Sequence, residues 1–314
     1  MSTQAIAQDL AASRADEERG HRTRLLLAWG VALAFILVVA GYGLNYYTLS
    51  AADRPFSPKH EALRPSGPIG VKLGMLGVFM FFVIYMYPLR KKWGWLSRKG
   101  NSRHWLDFHV LLGATAPVII AFHATFKFGN IAGMAFWSMM AVTISGFVGR
   151  YLYSQIPRRL NAAELSLKEM QDLEATLRRQ LEAGKAGLRT RMDALFNLPT
   201  PVRVADMSIL SALIWMIAID IKRPIQVSLL RLRGAGFGAW FGSLFGLFPT
   251  RHVNLENAIR VARKQASVSK RALFLSRTKQ VFQLWHIVHY PFSYGFAILA
   301  MVHIGLVLVM GYRL

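Results

Sequence analysis

The chain has 314 residues, with 38 Lys and Arg against 16 Asp and Glu, which gives a formal charge of +22, and no cysteine. Yet 54% of its residues are hydrophobic, and 20 Phe, 10 Tyr and 8 Trp are among them. Such a composition excludes a polar nucleic-acid-binding protein and a charged disordered chain. It is typical of an integral membrane protein whose basic residues gather on one side of the bilayer.

The absence of cysteine removes several redox chemistries from consideration. A disulfide framework, a Cys-ligated iron–sulfur cluster, a c-type haem attachment and a catalytic thiol are all excluded. Any metal would therefore be held by His, Met, Tyr or carboxylate side chains.

Five apolar stretches are long enough to cross a membrane, which takes about 20 residues. In chain order they are residues 25–47, 69–88, 105–126, 131–153 and 281–310. The last stretch exceeds this length, which predicts a tilted helix or one that begins below the bilayer. The sequence therefore predicts an all-α integral membrane bundle of about five transmembrane helices with a helical cytoplasmic insert.

The basic residues orient these spans. Several Arg precede the first span, and residues 90–103 carry six Lys and Arg with no acidic residue. By the positive-inside rule both segments are cytoplasmic, so the nearly neutral residues 48–68 lie outside. We expect a multi-pass protein of the bacterial inner membrane, with a cytoplasmic N-terminus, an outer C-terminus and parallel third and fifth spans. A signal peptide ending near Ala51 and Ala52 is the alternative for the first span.

This order of spans divides the chain into three predicted parts. Residues 1–153 hold the N-terminal segment and four spans, residues 154–280 form a basic cytoplasmic insert, and residues 281–314 complete the bundle. The insert carries 21 Lys and Arg against 9 Asp and Glu. Its charge suits docking of an acidic partner or of anionic lipid, although enforcing topology is an equal explanation.

Within the insert, residues 161–195 and 254–275 have the periodicity of amphipathic helices. Between them lie two apolar patches, at residues 209–219 and 234–248. The first is too short to span a membrane. We expect both patches to lie on the membrane surface or to pack in a core rather than to cross the bilayer.

Nine histidines are present, and five of them lie in the predicted spans. The four outside the spans, expected to be solvated or in loops, are His21, His60, His104 and His252. Buried polar groups in a membrane are costly unless paired or coordinated. Each of the five could simply hydrogen-bond a neighbouring helix.

The spacing of four of these histidines favours a shared role. His109 and His123 are 14 residues apart in the third span, and so are His289 and His303 in the fifth. Fourteen helical residues return to within about 40° of the same face, roughly 21 Å further along the axis. Because the two spans are predicted to be parallel, His109 faces His289 near the inside and His123 faces His303 near the outside. Two facing imidazoles are what a bis-His b-type haem requires.

His286 competes with His289 as a ligand, but it lies about 100° away from the stripe. Its alternative roles are a contact to a haem propionate or to a quinone, or a place at the membrane interface. Arg103, Lys127 and Arg150 lie near the membrane faces and are candidate propionate contacts, with head-group anchoring as the alternative.

The motifs His109-x13-His123 and His289-x13-His303 make the chain resemble the diheme b-type membrane cytochromes. These include the membrane domain of ferric reductases and NADPH oxidases and, more distantly, cytochrome b of bc complexes. The resemblance covers the second to fourth spans and the last, less than half of the chain. It implies two haem b groups and electron transfer across the bilayer.

The sequence departs from the large members of that family, which carry a C-terminal flavin and nucleotide domain. The insert contains no GxGxxG in a βαβ context. We therefore expect electrons to be exchanged with a quinone or with another redox subunit, such as a flavin, iron–sulfur or c-type cytochrome protein. On this interpretation the chain is the electron-transfer subunit of a membrane oxidoreductase complex.

The alternative interpretation is a non-haem membrane scaffold or transporter whose histidines are structural or relay protons. Carboxylates are common in such relays. Here Asp107, at the edge of the third span, is the only acidic residue in the predicted spans.

Overall fold

A computed structural model describes residues 3–156, 198–243, 245 and 247–310. The amphipathic helix predicted at residues 161–195 lies outside these residues. The described part of the chain contains helices and turns and no β-strand, which confirms the predicted all-α fold. Its helices are α1 (Thr3–Tyr47), α2 (His60–Leu63), α3 (Pro68–Lys92), α4 (Gly94–Ser97), α5 (Ser102–His123), α6 (Asn130–Gln155), α7 (Pro201–Asp206), α8 (Ile209–Ala235), α9 (Phe237–Gly242), α10 (Val253–Leu273) and α11 (Leu275–Val309).

Five of these helices, α1, α3, α5, α6 and α11, are long and apolar enough to cross a membrane. They coincide with the five predicted spans and confirm a multi-pass membrane protein. The chain divides into two compact units, which are described separately. The first comprises Met1–Val148 and Ile287–Leu314, and the second comprises Gly149–His286.

The first unit is built around the antiparallel pair α3 and α5. Its core holds side chains from both helices, and residues of α1 pack against it; the buried members are Leu73, Met80, Ala116, Ile119 and Phe122. Glycines on α3 allow the close approach: a Cβ at Gly77 would collide with Ile120, and a Cβ at Gly74 would meet the ring of His123. Small residues at a membrane helix contact let two backbones come near each other.

Prolines inside α3 and α5 each leave one carbonyl oxygen without its helical donor. A proline has no N–H, so the carbonyl four residues earlier is unpaired. Pro88 has this effect on Ile84, whose oxygen accepts a hydrogen bond from Nδ1 of His109 at 3.1 Å. Pro117 has it on Gly113, whose oxygen accepts from Oγ1 of Thr143 at 3.2 Å. Side chains of neighbouring helices therefore replace the missing bonds, as membrane helices require.

The second unit packs α8 against α10 and against residues near its own two ends. One apolar cluster includes Val227 and Ile259, and another includes Met216 and Phe274. Two ion pairs join α8 to α10: Lys270 donates to Asp220 at 2.6 and 2.5 Å, and Arg231 donates to Glu256 at 2.9 and 2.7 Å.

The apolar patch predicted at residues 209–219 is the first part of α8, a helix of 27 residues. The patch at residues 234–248 contains the short helix α9. Neither α8 nor α9 is among the helices that are both long and apolar enough to cross a membrane.

Candidate functional site

His109 is held by the backbone of α3. Its Nδ1 lies 3.1 Å from the carbonyl oxygen of Ile84, the oxygen that Pro88 leaves unpaired. A carbonyl can only accept, so Nδ1 is the protonated nitrogen and donates this bond. In the neutral ring, Nε2 is then the basic nitrogen, the form in which histidine binds a metal. The ring of Tyr87 lies beside the imidazole, with 5.2 Å between the ring centroids.

His123 is held in the same way one haem-length further along α5. Its Nδ1 donates to the carbonyl oxygen of Gly70 at 2.8 Å. A Cβ at Gly74 would lie 2.8 Å from Cε1 and 2.9 Å from Nδ1 of this ring, so the imidazole rests directly on the α3 backbone. Among the described residues, Nε2 of His123 and Nε2 of His109 have no hydrogen-bond partner.

The two bonds share one register. The donors His109 and His123 are 14 residues apart on α5, and the acceptors Ile84 and Gly70 are 14 residues apart on the antiparallel α3. One helix therefore sets the tautomer and the orientation of both imidazoles.

His289 on α11 has a side-chain partner on α6. Its Nδ1 lies 2.6 Å from Oγ of Ser145, and that hydroxyl donates its own proton to the carbonyl of Val142 at 3.0 Å. The hydroxyl oxygen therefore accepts from Nδ1–H of His289. A Cβ at Gly146 would lie 3.9 Å from Cε1 of the same ring, in ordinary contact.

His303 on α11 lies close enough to His123 for the two imidazoles to interact electrostatically. Its side chain is half-buried. Tyr85 of α3 donates a hydrogen bond to the carbonyl of Ser293, and Phe81 packs edge-on against Phe296 at 5.1 Å between centroids. These contacts attach α11 to α3 between the levels of His289 and His303.

His286 belongs to the second unit. Its Nδ1 donates to the carbonyl oxygen of Phe282, one turn earlier on the same helix, at 2.9 Å. The rings of Phe282 and Trp285 stand edge-on to it at 4.4 and 4.7 Å. The imidazole thus has a local helical partner, whereas His109, His123 and His289 bond to other helices.

The three candidate propionate contacts differ in their surroundings. Arg103 forms an ion pair with Glu18 at 2.9 Å. Lys127 is exposed in the turn between α5 and α6, and Arg150 is half-buried in the second unit.

The expectation that His21 is solvated is wrong. Only 4% of the residue is exposed, its Nε2 lies 3.0 Å from Oδ2 of Asp107, and its ring stacks on His104 at 3.6 Å. His104 is correspondingly covered: its Nε2 is buried and lies 3.8 Å from Glu18. The signal for this cluster was Asp107 itself, because a carboxylate at the edge of a span requires a partner.

The other two histidines outside the spans are partly as expected. His252 is exposed. His60 is half-buried, and its Nδ1 lies 3.2 Å from the hydroxyl of Tyr46.

The donor set fits a b-type haem. A porphyrin supplies four ligands to its iron, so the protein needs to provide only two imidazoles with fixed tautomers. Sites that hold a bare metal ion need more side chains, and no group of three or more His, Asp or Glu suited to a metal ion occurs in the part of the chain that the structure describes. Gly113, one turn beyond His109, adds open space: a Cβ there would meet nothing within 4 Å.

Comparison with known proteins adds no relative. No protein-family model, no curated protein and no solved structure matches the chain.

Proposed function

We propose that this chain is a membrane b-type cytochrome that binds two bis-His haems and carries electrons across the bilayer. The observation that supports this best is the pair of equally spaced bonds from Nδ1 of His109 and His123 to backbone carbonyls of α3. Ligating histidines usually donate their second ring N–H to such an acceptor, which fixes the tautomer and raises ligand basicity. In this proposal His109 and His289 bind the inner haem iron, and His123 and His303 bind the outer one.

The residues of the chain have distinct roles in this proposal. Ile84, Gly70 and Ser145 keep the Nδ1 protons of His109, His123 and His289 in place, so that Nε2 faces the iron. The apolar side chains of α3, α5 and α11 exclude water and lower the local dielectric constant, which tunes the reduction potential. The haem, when bound, supplies one-electron chemistry, and two axial imidazoles leave no open position for a substrate.

The physiological setting follows from the charge asymmetry of the sequence. We propose a location in the bacterial inner membrane with the N-terminus in the cytoplasm and the C-terminus outside. The chain would be the electron-transfer subunit of a membrane oxidoreductase complex and would exchange electrons with a quinone or with a flavin, iron–sulfur or c-type cytochrome subunit. Arg103, Lys127 and Arg150 remain the candidates for propionate contacts, and His286 for a propionate or quinone contact.

A second candidate function is favoured by the His21–Asp107 pair. A buried imidazole–carboxylate pair at one end of a membrane bundle is also an arrangement that relays protons. On this hypothesis the chain is a non-haem transporter or scaffold, and its histidines are structural.

Haem content distinguishes the two functions. The cytochrome hypothesis predicts two haem b per chain in a pyridine haemochrome assay of the purified protein, together with a b-type spectrum on reduction. A protein purified from haem-replete cells without any haem would refute it. Reduction of the bound haems by a quinol analogue would identify a quinol as donor, and reduction only by a protein fraction would identify a partner subunit.

A further inference from the structure

Helix α8 has two apolar faces, and only one of them is used inside the second unit. Ala212, Met216, Val227 and Leu230 are buried against the rest of the unit. A second stripe, 38–67% exposed, consists of Leu210, Ile214, Ile217, Ile221 and Ile225. At 100° per residue this exposed stripe occupies an arc of about 80°. Soluble monomers rarely leave such a continuous apolar surface uncovered.

An aromatic cluster continues this stripe beyond the end of α8. Ser228 lies on the same side of α8 as Leu210, and its Oγ accepts from Nε1 of Trp240 at 3.0 Å and donates to the carbonyl of Phe245 at 2.7 Å. Trp240 and Phe245 pack edge-on at 5.3 Å between centroids. Phe237 and Phe241 complete the cluster and are 69% and 60% exposed. We call the stripe and this cluster together the α8–α9 face.

Basic and amphipathic side chains border the α8–α9 face on one side. Lys222 and Arg233 are exposed and lie about 120° and 140° around α8 from Leu210. Trp215 lies on the same edge, with the guanidinium of Arg203 over its ring at 5.4 Å. The acidic residue of α8, Asp220, lies on the other side of the helix and is paired with Lys270.

The chain itself brings this face to a membrane. The second unit begins at Gly149 within α6 and ends at His286 within α11, and both helices are candidate membrane spans. A surface attached at both ends to membrane helices stays within reach of one leaflet.

We infer that the α8–α9 face lies in the interface of the leaflet in which α6 ends and α11 begins. An apolar stripe, exposed aromatic rings and a basic border are the features of a helix that lies in the membrane plane, about 5–10 Å into the head-group boundary. Lys222 and Arg233 extend to the phosphates of anionic lipids. The inference does not depend on haem.

The absence of cysteine allows a direct test in the full-length protein. A single Ile221→Cys variant and an Asn257→Cys control on α10 are labelled with a small fluorophore and placed in nanodiscs containing phosphatidylglycerol and phosphatidylethanolamine. Both positions are exposed, so folding is preserved. Nitroxide-labelled lipid should quench the label at position 221 several-fold more than at position 257, and aqueous acrylamide should show the reverse order.

Two outcomes would overturn the inference. Equal quenching of both labels by acrylamide would mean that the face is in water. Protection of position 221 from both quenchers would mean that protein, such as a second copy of the chain, covers it.

The lipid specificity has its own measurement. Lipid quenching at position 221 should rise with the phosphatidylglycerol content, and a K222E/R233E variant should lose this rise, because each basic residue contributes about fivefold to anionic-lipid attraction. The charge-matched control is Arg260→Glu on α10, where the side chain is exposed. Loss of the rise in the control as well, or no rise in the starting protein, would refute the role of the basic border.

Discussion

The carbonyl oxygen of Ile84 lies 3.1 Å from Nδ1 of His109 because Pro88, one turn later, has no N–H to offer it. A sequence feature that weakens α3 thus creates the acceptor that orients a candidate ligand on α5. His123 reaches Gly70 without such help, through a close approach at Gly74. The two imidazoles are therefore held by the same kind of bond but for different physical reasons.

Replacing Pro88 by Ala should weaken the inner haem site. The new N–H at position 88 would compete with His109 for the oxygen of Ile84 and loosen the imidazole. Loss of an outer-shell partner lowers metal affinity about tenfold or more. Haem content and potentiometric titration should show an altered inner haem and an unchanged outer one. Pro117→Ala is the matched control, because it frees Thr143 and no histidine. Identical effects of both variants would contradict this assignment.

Single ligand replacements should remove one haem each. His109→Ala or His289→Ala should abolish the inner haem, and His123→Ala or His303→Ala the outer one, since an iron with one axial imidazole binds more weakly. The pyridine haemochrome assay should then give one haem per chain instead of two. His252→Ala, at an exposed position, should keep both. Retention of both haems in all four variants would disprove the ligand pairing.

Adding one methyl group at Gly74 should displace His123. The new Cβ would lie 2.8 Å from Cε1 of the ring, too close without movement of the helix or the imidazole. Overpacking of this kind costs about 1–3 kcal/mol. We expect a lower unfolding temperature in detergent and selective loss of the outer haem. Gly30→Ala, where nothing lies within 4 Å of the added Cβ, serves as control. Equal stability of the two variants would show that the contact at Gly74 relaxes freely.

Breaking the pair of His21 and Asp107 should destabilise the first unit. Removing one partner of a buried hydrogen bond costs about 1–3 kcal/mol. Asp107→Asn and His21→Ala should each lower the unfolding temperature, and the double variant should cost less than the sum, because the two side chains are coupled. The exposed Asp53→Asn gives the baseline. Additive losses would mean that the hydrogen bond contributes nothing.

Acid should destabilise the second unit through Glu256. Burial alone would raise the pKa of this carboxyl, but hydrogen bonds from Arg231 and Thr250 hold its pKa below the ordinary value. A lowered pKa in the folded state contributes stability above the unfolded-state pKa, and this contribution is lost as the pH falls through the folded-state pKa. Hydrogen exchange of α10 amides should therefore accelerate on acidification.

The Glu256→Gln variant tests that pH effect. It should exchange faster than the parent protein at neutral pH and respond less to acid, since it has no carboxyl to protonate. Glu61→Gln, which alters an exposed ion pair with Arg64 in the first unit, should change neither property. An unchanged acid response in Glu256→Gln would assign the effect to other groups.

Hydropathy was sufficient to predict the five spans, because a membrane span must be long and apolar. The 14-residue spacing of His109 and His123 was visible for the same reason that it matters: it follows from helical periodicity. The partners of these histidines could not be predicted, because Ile84 and Gly70 act through backbone oxygens, which every residue carries. Pro88 marked an unpaired carbonyl, but the donor that fills it depends on how α3 and α5 align.

Long-range pairing explains the other differences. His21 precedes the apolar part of α1 and was expected to be solvated, but Asp107, distant in sequence, draws it into a buried contact. The apolar run at residues 209–219 ends at Asp220, yet α8 continues because Lys270 and Glu256 on α10 neutralise the charges that follow. Tertiary charge pairs of this kind leave no local signal.

The use of α3 carbonyls as acceptors has a consequence for how this sequence can diverge. No side-chain replacement at Ile84 or Gly70 deletes a carbonyl, so natural variation at most α3 positions leaves both imidazoles supported. Insertion or deletion of one residue between them is different, because it rotates one carbonyl by about 100° and moves it about 1.5 Å along the axis relative to the other. Selection should therefore preserve the length of this segment more strictly than its residues.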